Sequence, residues 1–538
     1  MRKARNPLLL AAGASLWLAF VSNWPLWRAM MALPELQSGR GRLFVGGFAL
    51  MLACANLALL SLVAWRRSLK PLVTLLLVVA AIGAHFIGSY GIVIDPAMMI
   101  NVLQTNPREA GDLLGPKLLL AVLLLAGPPL WLLWRTPLRA VPAGTQGLYN
   151  AAALVLSACV ALALLALNLA AFSATMRNHK SLRYMVGPAN TFYALGRVAF
   201  GSARQPAGPA MPIGLDVHGL PRPPGAKPPL LLLVVGETAR ADHFSLNGYA
   251  RPTSPETAAR GAISFTQASA CGTSTAASLP CMFSPLGREA YGAQRRPQQN
   301  LLDVLQRAGL AVLWLDNQAG CKGLCDRVPN AQVEAPGLCR DGECLDEALL
   351  VGLDARLAAL PPERRERGVV LVLHQMGSHG PAYHRRAPDD RKPFQPECRT
   401  HALQDCPHDA LINAYDNSIA YTDHVLGQAI DWLDMQRGHY APMLLYLSDH
   451  GESLGEQNLY LHGMPYAMAP QAQTHVPWLV WLPAAPGEPS AALAACLRQR
   501  RDQPISHDNL FHTVMGLLGL QADVYRAALD LAAPCRSG

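Results

Sequence analysis

Five long apolar stretches crowd the first third of the chain, at about residues 7–27, 43–65, 71–94, 117–134 and 148–172, and they constrain its fold more than any other feature. Each is close to the ~20 residues that a helix needs to cross a bilayer. One such run alone would fit a buried core helix or, at the N-terminus, a cleaved signal peptide. Five in succession, with 118–134 free of charge, predict a transmembrane domain of five helices.

The 538-residue chain has a formal net charge of +8, which taken alone invites a nucleic-acid partner. The charge is unevenly placed, however. Residues 1–205 hold 18 Lys and Arg against 4 Asp and Glu, giving +14, and residues 206–538 hold 27 against 33, giving −6. Basic side chains flank the spans, so no nucleic-acid partner is expected. Arg2, Lys3 and Arg5, then Arg66, Arg67 and Lys70, then Arg135 and Arg139 would all lie on the cytoplasmic side, with Arg40 and Arg42 against the pattern. Five spans then place everything after residue 173 outside. A basic connector (Arg177, Lys180, Arg183, Arg197, Arg204) reads as a helix on anionic headgroups, and a Pro-rich stretch from 206 to 229 as a boundary. The expected organisation is a transmembrane domain over 1–173, a connector and linker over 174–228, and an external domain over 229–538.

In that external domain, short Val- and Leu-rich runs (230–235, 311–315, 369–373, 443–447, 478–482) alternate with helical patterns (301–308, 346–359, 409–435). The alternation predicts an α/β domain with a mostly parallel central sheet covered on both faces. Polar residues follow the runs: Glu237, Asp316 with Asn317, His374 with His379, and Asp449 with His450. Ligands of open parallel sheets bind beyond the carboxyl ends of the strands, so one site should collect these groups. Ten of the twelve cysteines lie after residue 270. Proximity pairs Cys271 with Cys281, Cys321 with Cys325, Cys339 with Cys344 and Cys398 with Cys406, and elimination leaves Cys496 for Cys535. An external compartment favours these disulfides, although the Cys321–Cys325 spacing would also suit a thiolate zinc cage.

The chemistry lies in short motifs. Ser448-Asp449-His450-Gly451-Glu452-Ser453 places a carboxylate beside an imidazole at a strand end, ligand types suited to zinc or manganese. Gly236-Glu237-Thr238 adds a second carboxylate, and Cys271-Gly272-Thr273-Ser274-Thr275-Ala276 adds hydroxyls before a helix start. A hydroxyl there, beside a divalent metal, is an activated nucleophile facing amides that can hold phosphate oxygens.

These strings, with Pro280-Cys281-Met282-Phe283-Ser284, Asp316-Asn317-Gln318, Cys321-Lys322-Gly323, Gly377-Ser378-His379-Gly380 and Leu461-His462-Gly463, resemble the lipid A phosphoethanolamine transferases of the Gram-negative inner membrane. That family includes the mobile colistin-resistance enzymes and falls within the alkaline phosphatase/sulfatase superfamily. The resemblance implies zinc, one ion tightly bound and room for a second, held by Glu237, Asp449, His450 and the nucleophile Thr275, with Thr273 and Ser274 as rival hydroxyls. It implies that His379 and His462 handle a second zinc or the phosphoryl substrate, and that Lys322 with Gln318, where the family often has Asn, contacts the donor headgroup. Asn101, Thr105 and Glu109 match residues proposed to receive phosphatidylethanolamine, and their spacing of four puts them on one helical face. His374, Glu452 and Glu456 are expected to support ligands rather than to be ligands.

The implied reaction is transfer of phosphoethanolamine from phosphatidylethanolamine to a lipid A phosphate through a threonine ester, by a monomer in the inner membrane with its catalytic domain in the periplasm and polymyxin resistance as the consequence. Rival readings are transfer to lipopolysaccharide core sugars, a phosphoglycerol transferase building an envelope polymer, and a catalytically dead membrane sensor. A sulfatase is disfavoured because no Cys/Ser-x-Pro-x-Arg string lies near Cys271.

Overall fold

A computed structural model describes the chain except residues 1–3, 106–109, 112, 205–208, 295, 341, 485, 486, 489, 537 and 538. The chain divides into two compact units, residues 1–100 with 113–202 and residues 101–112 with 203–538.

The first unit is helical: α1 (Pro7–Leu16), α2 (Trp24–Ala32), α3 (Gly39–Leu62), α4 (Leu69–Tyr90), α5 (Pro96–Gln104), α6 (Pro116–Leu125), α7 (Gly127–Arg135), α8 (Ala143–Leu167) and, in the connector, α9 (Ala189–Arg204). Helices α3, α4 and α8 are each long and apolar enough to cross a membrane. The first and fourth apolar stretches are bent pairs instead, α1–α2 at 40° and α6–α7 at 44°, so the count reaches five when each pair is one span. The bends have a chemical cause. Pro128 and Pro129 carry no amide hydrogen for the preceding turn. The indole of Trp17 donates instead to the Leu125 carbonyl (2.7 Å). At the first bend, the Asn23 amide and the Trp27 indole cover the carbonyls of Leu18 (2.8 Å) and Ala19 (2.9 Å).

The second unit is built on an eight-stranded sheet: β1 (Pro229–Gly236), β2 (Ile263–Ser269), β3 (Ala311–Asp316), β4 (Asn330–Gln332), β5 (Val369–His374), β6 (Ala441–Ser448), β7 (His475–Trp481) and β8 (Ile505–Ser506). Their spatial order is β8-β2-β7-β6-β1-β5-β3-β4. All neighbours pair in parallel except at β7, which runs antiparallel to both β2 and β6. The 478–482 run therefore departs from the expected parallel course, since a short apolar run carries no information about its direction. The continuous apolar sequences of the central strands are explained by a two-sided core. Leu231, Leu233 and Val235 pack in one cluster and Leu230, Leu232 and Val234 in the other. Each fully buried Leu or Val contributes about 1.5–3 kcal/mol. Helix α10 (Thr275–Met282) joins the first face through Leu279 and Met282, and α11 (His408–Met435) joins the second through Leu411, Tyr415 and Ile419.

All five expected disulfides are formed, Cys496–Cys535 included. Because the sulfurs of Cys321 and Cys325 are bonded to each other, the alternative thiolate cage is ruled out there. Cys54 and Cys159 are free.

Candidate active site

The sheet brings Gly236 of β1 level with Ser448 of β6, so the two motifs that follow these strands meet. Gly236 has to be glycine, because a Cβ there would lie 2.6 Å from the Tyr446 hydroxyl. Beyond Glu237 the chain turns at Thr238, a β-branched residue with φ of +51°. Such a conformation costs roughly 1–3 kcal/mol and persists only when its surroundings hold it. Tyr415 on α11 does so: its hydroxyl donates to the Thr238 carbonyl (2.7 Å) and accepts from the Arg240 amide (3.0 Å). Gly377, at φ of +54°, lets the loop after β5 press on the same turn, where a Cβ would sit 2.7 Å from the Glu237 carbonyl oxygen.

Asp449 and His450 are fixed by their own backbone. Asp449 Oδ1 accepts from the amides of His450 (2.8 Å) and Thr238 (3.3 Å). The His450 Nδ1 donates to the Gly451 carbonyl (2.9 Å), which turns Nε2 towards Glu237 Oε1 (3.3 Å) and Asp449 Oδ2 (3.5 Å). Thr275, the first residue of α10, completes the group: its hydroxyl donates to Glu237 Oε2 (2.9 Å) and lies 3.5 Å from His450 Nε2. The rival Thr273 hydroxyl donates to the Met464 carbonyl instead (2.6 Å). Ser274 is the helix N-cap.

Glu237, Asp449 and His450 are fully buried, and one oxygen of each carboxylate, Glu237 Oε1 and Asp449 Oδ2, has no hydrogen-bond partner among the described residues. Burying anionic oxygens without compensation costs several kcal/mol. The three residues offer one ligand atom each within 4.8 Å of one another. Two orphaned carboxylate oxygens beside an imidazole nitrogen fit a divalent cation. The protonation of the group makes the same point. Burial pushes the Asp449 carboxyl up, helped by the charge of Glu237, to about 6. Burial opposes ionisation of Glu237, but the His450 imidazole outweighs it and holds the carboxyl well below the usual range. His450, against the effect of burial, is raised to about 10 by Asp449 and Glu237. These opposed shifts couple the three groups by charge at the point where a cation fits.

Of the other expected residues, His462, His379 and Gln318 lie around this group. The His462 ring lies 4.4 Å from that of His450 and 5.6 Å from that of His379, centre to centre, and its Nδ1 faces Glu452 Oε2 at 3.2 Å. Gln318 donates to Glu237 Oε2 (3.0 Å). Lys322 reaches the Ala319 carbonyl (3.4 Å). The Thr105 hydroxyl donates to the Asn101 carbonyl (2.8 Å), and Glu109 lies outside the described residues. His374 pairs with Asp316 (3.0 Å) and Glu456 with Arg240 (2.5 Å).

Three supports escaped the sequence reading. Buried His507 accepts from the Cys271 amide (3.1 Å) and donates to the Ser448 carbonyl (3.0 Å), joining the loop before the nucleophile to the ligand strand. Buried Asp346 holds the amides of Met376 (2.8 Å) and Gly377 (2.9 Å). Gln473, just before β7, caps the ligand loop through Ser453 (2.9 Å) and Met464 (3.1 Å). The strand-end rule would have found His507, but its strand, β8, is only two residues long.

Comparisons with known proteins agree with this geometry. Residues 229–520 match the sulfatase family and residues 52–202 match the family described as phosphoethanolamine transferase EptA/EptB. The chain is 40% identical to phosphoethanolamine transferase EptA of Salmonella typhimurium over 87% of its length and 86% of the relative's. It is 36% identical to phosphatidylethanolamine transferase Mcr-1 of Escherichia coli over 97% and 96%. The integral membrane lipooligosaccharide phosphoethanolamine transferase A of Neisseria meningitidis superposes with a TM-score of 0.91 at 34% identity, covering 98% of each chain. The joining of an apolar helical unit to a sulfatase-like unit, a buried threonine hydroxyl between a carboxylate and an imidazole, and identity at this level over nearly the whole chain place this protein in the EptA family of phosphoethanolamine transferases.

Proposed function

We propose that this enzyme moves phosphoethanolamine from phosphatidylethanolamine to a phosphate of lipid A, with Thr275 as the carrier. One observation carries the reading: among the hydroxyls of its motif, that of Thr275 points at Glu237 Oε2 and His450 Nε2, beside two orphaned carboxylate oxygens. Glu237, Asp449, His450 and Thr275 would hold zinc. Bound there, zinc lowers the pKa of a neighbouring hydroxyl and offsets charge on phosphoryl oxygens.

The residues of the chain do the rest. The Thr275 hydroxyl directs its proton at Glu237 Oε2, and its oxygen attacks the donor phosphorus. A bond forms between Oγ1 and phosphorus, and the bond to diacylglycerol breaks. His462, whose Nδ1 is turned to Glu452, has Nε2 available to give the departing alkoxide its proton. The amides at the start of α10 face the phosphoryl oxygens. An oxygen of the acceptor phosphate then attacks the same phosphorus, the bond from Oγ1 to phosphorus breaks, Thr275 recovers its proton from Glu237, and the acceptor's own proton returns to His462. His379, beside His462, assists this second step or helps to hold a second zinc ion. Lys322, Asn101, Thr105 and Glu109 serve the donor headgroup, Gln318 by fixing Glu237.

Both substrates are lipids, which suits a multi-pass enzyme of the bacterial inner membrane with five spans over 1–173, a linker over 174–228 and a periplasmic domain over 229–538. The added ammonium group lowers the negative charge of the acceptor and so weakens its attraction for polymyxins. The test is to follow diacylglycerol release from fluorescent phosphatidylethanolamine and mass gain on lipid A, each with and without prior chelation. Full activity in chelated enzyme would overturn the metal assignment, and diacylglycerol release without mass gain on lipid A would overturn the acceptor.

A further inference from the structure

The second unit contains a cavity of about 830 Å³ that the chemistry above leaves unused. Met376 and Gly377 line it, and their loop continues into Ser378, whose amide donates to the Glu237 carbonyl (3.0 Å), and into His379. The cavity therefore shares one loop with Glu237, whose carboxylate accepts from the Thr275 hydroxyl. Arg386, 6% exposed, lies in the wall: its Nε donates to the His379 carbonyl (2.8 Å) and Nη1 to Glu343 Oε2 (2.9 Å). Its Nη2 has no partner among the described residues. Arg340, also in the wall, makes no side-chain hydrogen bond or ion pair among them, and Arg391 has only Glu256 at 4.0 Å.

A volume of this size is that of a small-ligand site, roughly 300–1,000 Å³. Guanidinium groups with donors to spare select phosphate, which they meet with paired hydrogen bonds. The carboxylates of the same wall, Glu343, Asp346, Glu347, Asp389 and Asp390, are acceptors for hydroxyl groups. Walls so rich in charge exclude an acyl chain, whose burial there would leave ions unsolvated.

We propose that this cavity binds the phosphorylated sugar of the acceptor while phosphoethanolamine is carried on Thr275. The inference rests on the acceptor reading given above. The donor headgroup also carries a phosphate, so both substrates must be measured. With the full-length enzyme in mixed micelles, the double variant Arg340→Glu/Arg391→Glu is expected to raise KM for lipid A at least tenfold, to change kcat less than threefold, and to leave KM for phosphatidylethanolamine within twofold. Calorimetry with deacylated lipid A, the bare bisphosphorylated glucosamine disaccharide, should show the same loss of binding. An unchanged KM for lipid A, or a rise confined to phosphatidylethanolamine, overturns the proposal. Should the double variant release no diacylglycerol, the single variants Arg340→Gln and Arg391→Gln are read by the same criteria. If the parent enzyme itself adds no mass to lipid A, it is the acceptor reading that fails.

Discussion

The two units satisfy their buried hydroxyl groups in opposite ways. In the helical unit the hydroxyls stay at home: Ser15 donates to the Ala11 carbonyl, Ser61 to Leu57, Thr74 to Lys70 and Thr136 to Leu132, each four residues back along the same helix. Where a bilayer supplies no water, the nearest spare lone pair is on the helix itself. In the α/β unit the buried polar groups reach across the chain instead. Thr275 bonds to Glu237, His507 to Ser448 and Tyr415 to Thr238. Local pairing keeps these hydroxyls independent of neighbouring helices, which are joined instead by the side-chain amides and indole of Asn23, Gln146 and Trp17. Distant pairing makes a few residues answer for the geometry of many, and it leaves Glu237 and Asp449 each with one orphaned oxygen at the point where a cation fits.

The largest expected effects fall on this second network. Thr275→Ala should lower diacylglycerol release from fluorescent phosphatidylethanolamine by ~10³-fold or more, the scale seen when a covalent nucleophile is removed. A variant as fast as the parent would transfer the role to another hydroxyl. Next, chelation should lower the melting midpoint of the α/β unit by roughly 5 °C or more, because an ion held only by the folded state stabilises it by mass action. Asp449→Asn should abolish both the metal content, read by elemental analysis, and this response to chelator. Replacing Cys271 and Cys281 together by serine should cost about 2–3 kcal/mol, as for a bridge closing a short loop, read from denaturation midpoints.

How much of this was legible in the sequence follows the same division. The spans, the charge asymmetry and the residues that follow β1, β3, β5 and β6 could be read directly, because an apolar run and a strand-end motif are local signals. The bends at Pro25 and at Pro128-Pro129 were also written in the sequence, where proline removes an amide that the helix needs. The direction of β7 was not, since its apolar run reads the same either way and its partners lie far along the chain. The bond of the Gln318 amide to Glu237 was not legible either, since it joins residues 81 positions apart. His507 went unnoticed because its bonds go to residues 59 and 236 positions away.

A pair of serines gives the finest test of the contrast. Ser278 in α10 donates to the Asp449 carbonyl (2.5 Å) and lies 3.3 Å from His507 Nδ1, so its hydroxyl ties the nucleophile helix to the ligand strand. Ser278→Ala removes the donor to a buried carbonyl and should cost about 1–3 kcal/mol. It should also slow diacylglycerol release, since the helix start and the Asp449 turn are then free to shift apart. Ser61 in α3 is equally buried, but its hydroxyl bonds to the Leu57 carbonyl, which keeps an amide partner within the helix. Ser61→Ala, which also favours the helix, should change stability by less than ~0.5 kcal/mol and activity not at all. Equal losses from the two substitutions would mean that the helical unit also depends on single polar contacts. A loss confined to Ser278 would leave them essential only where the chain gathers its site.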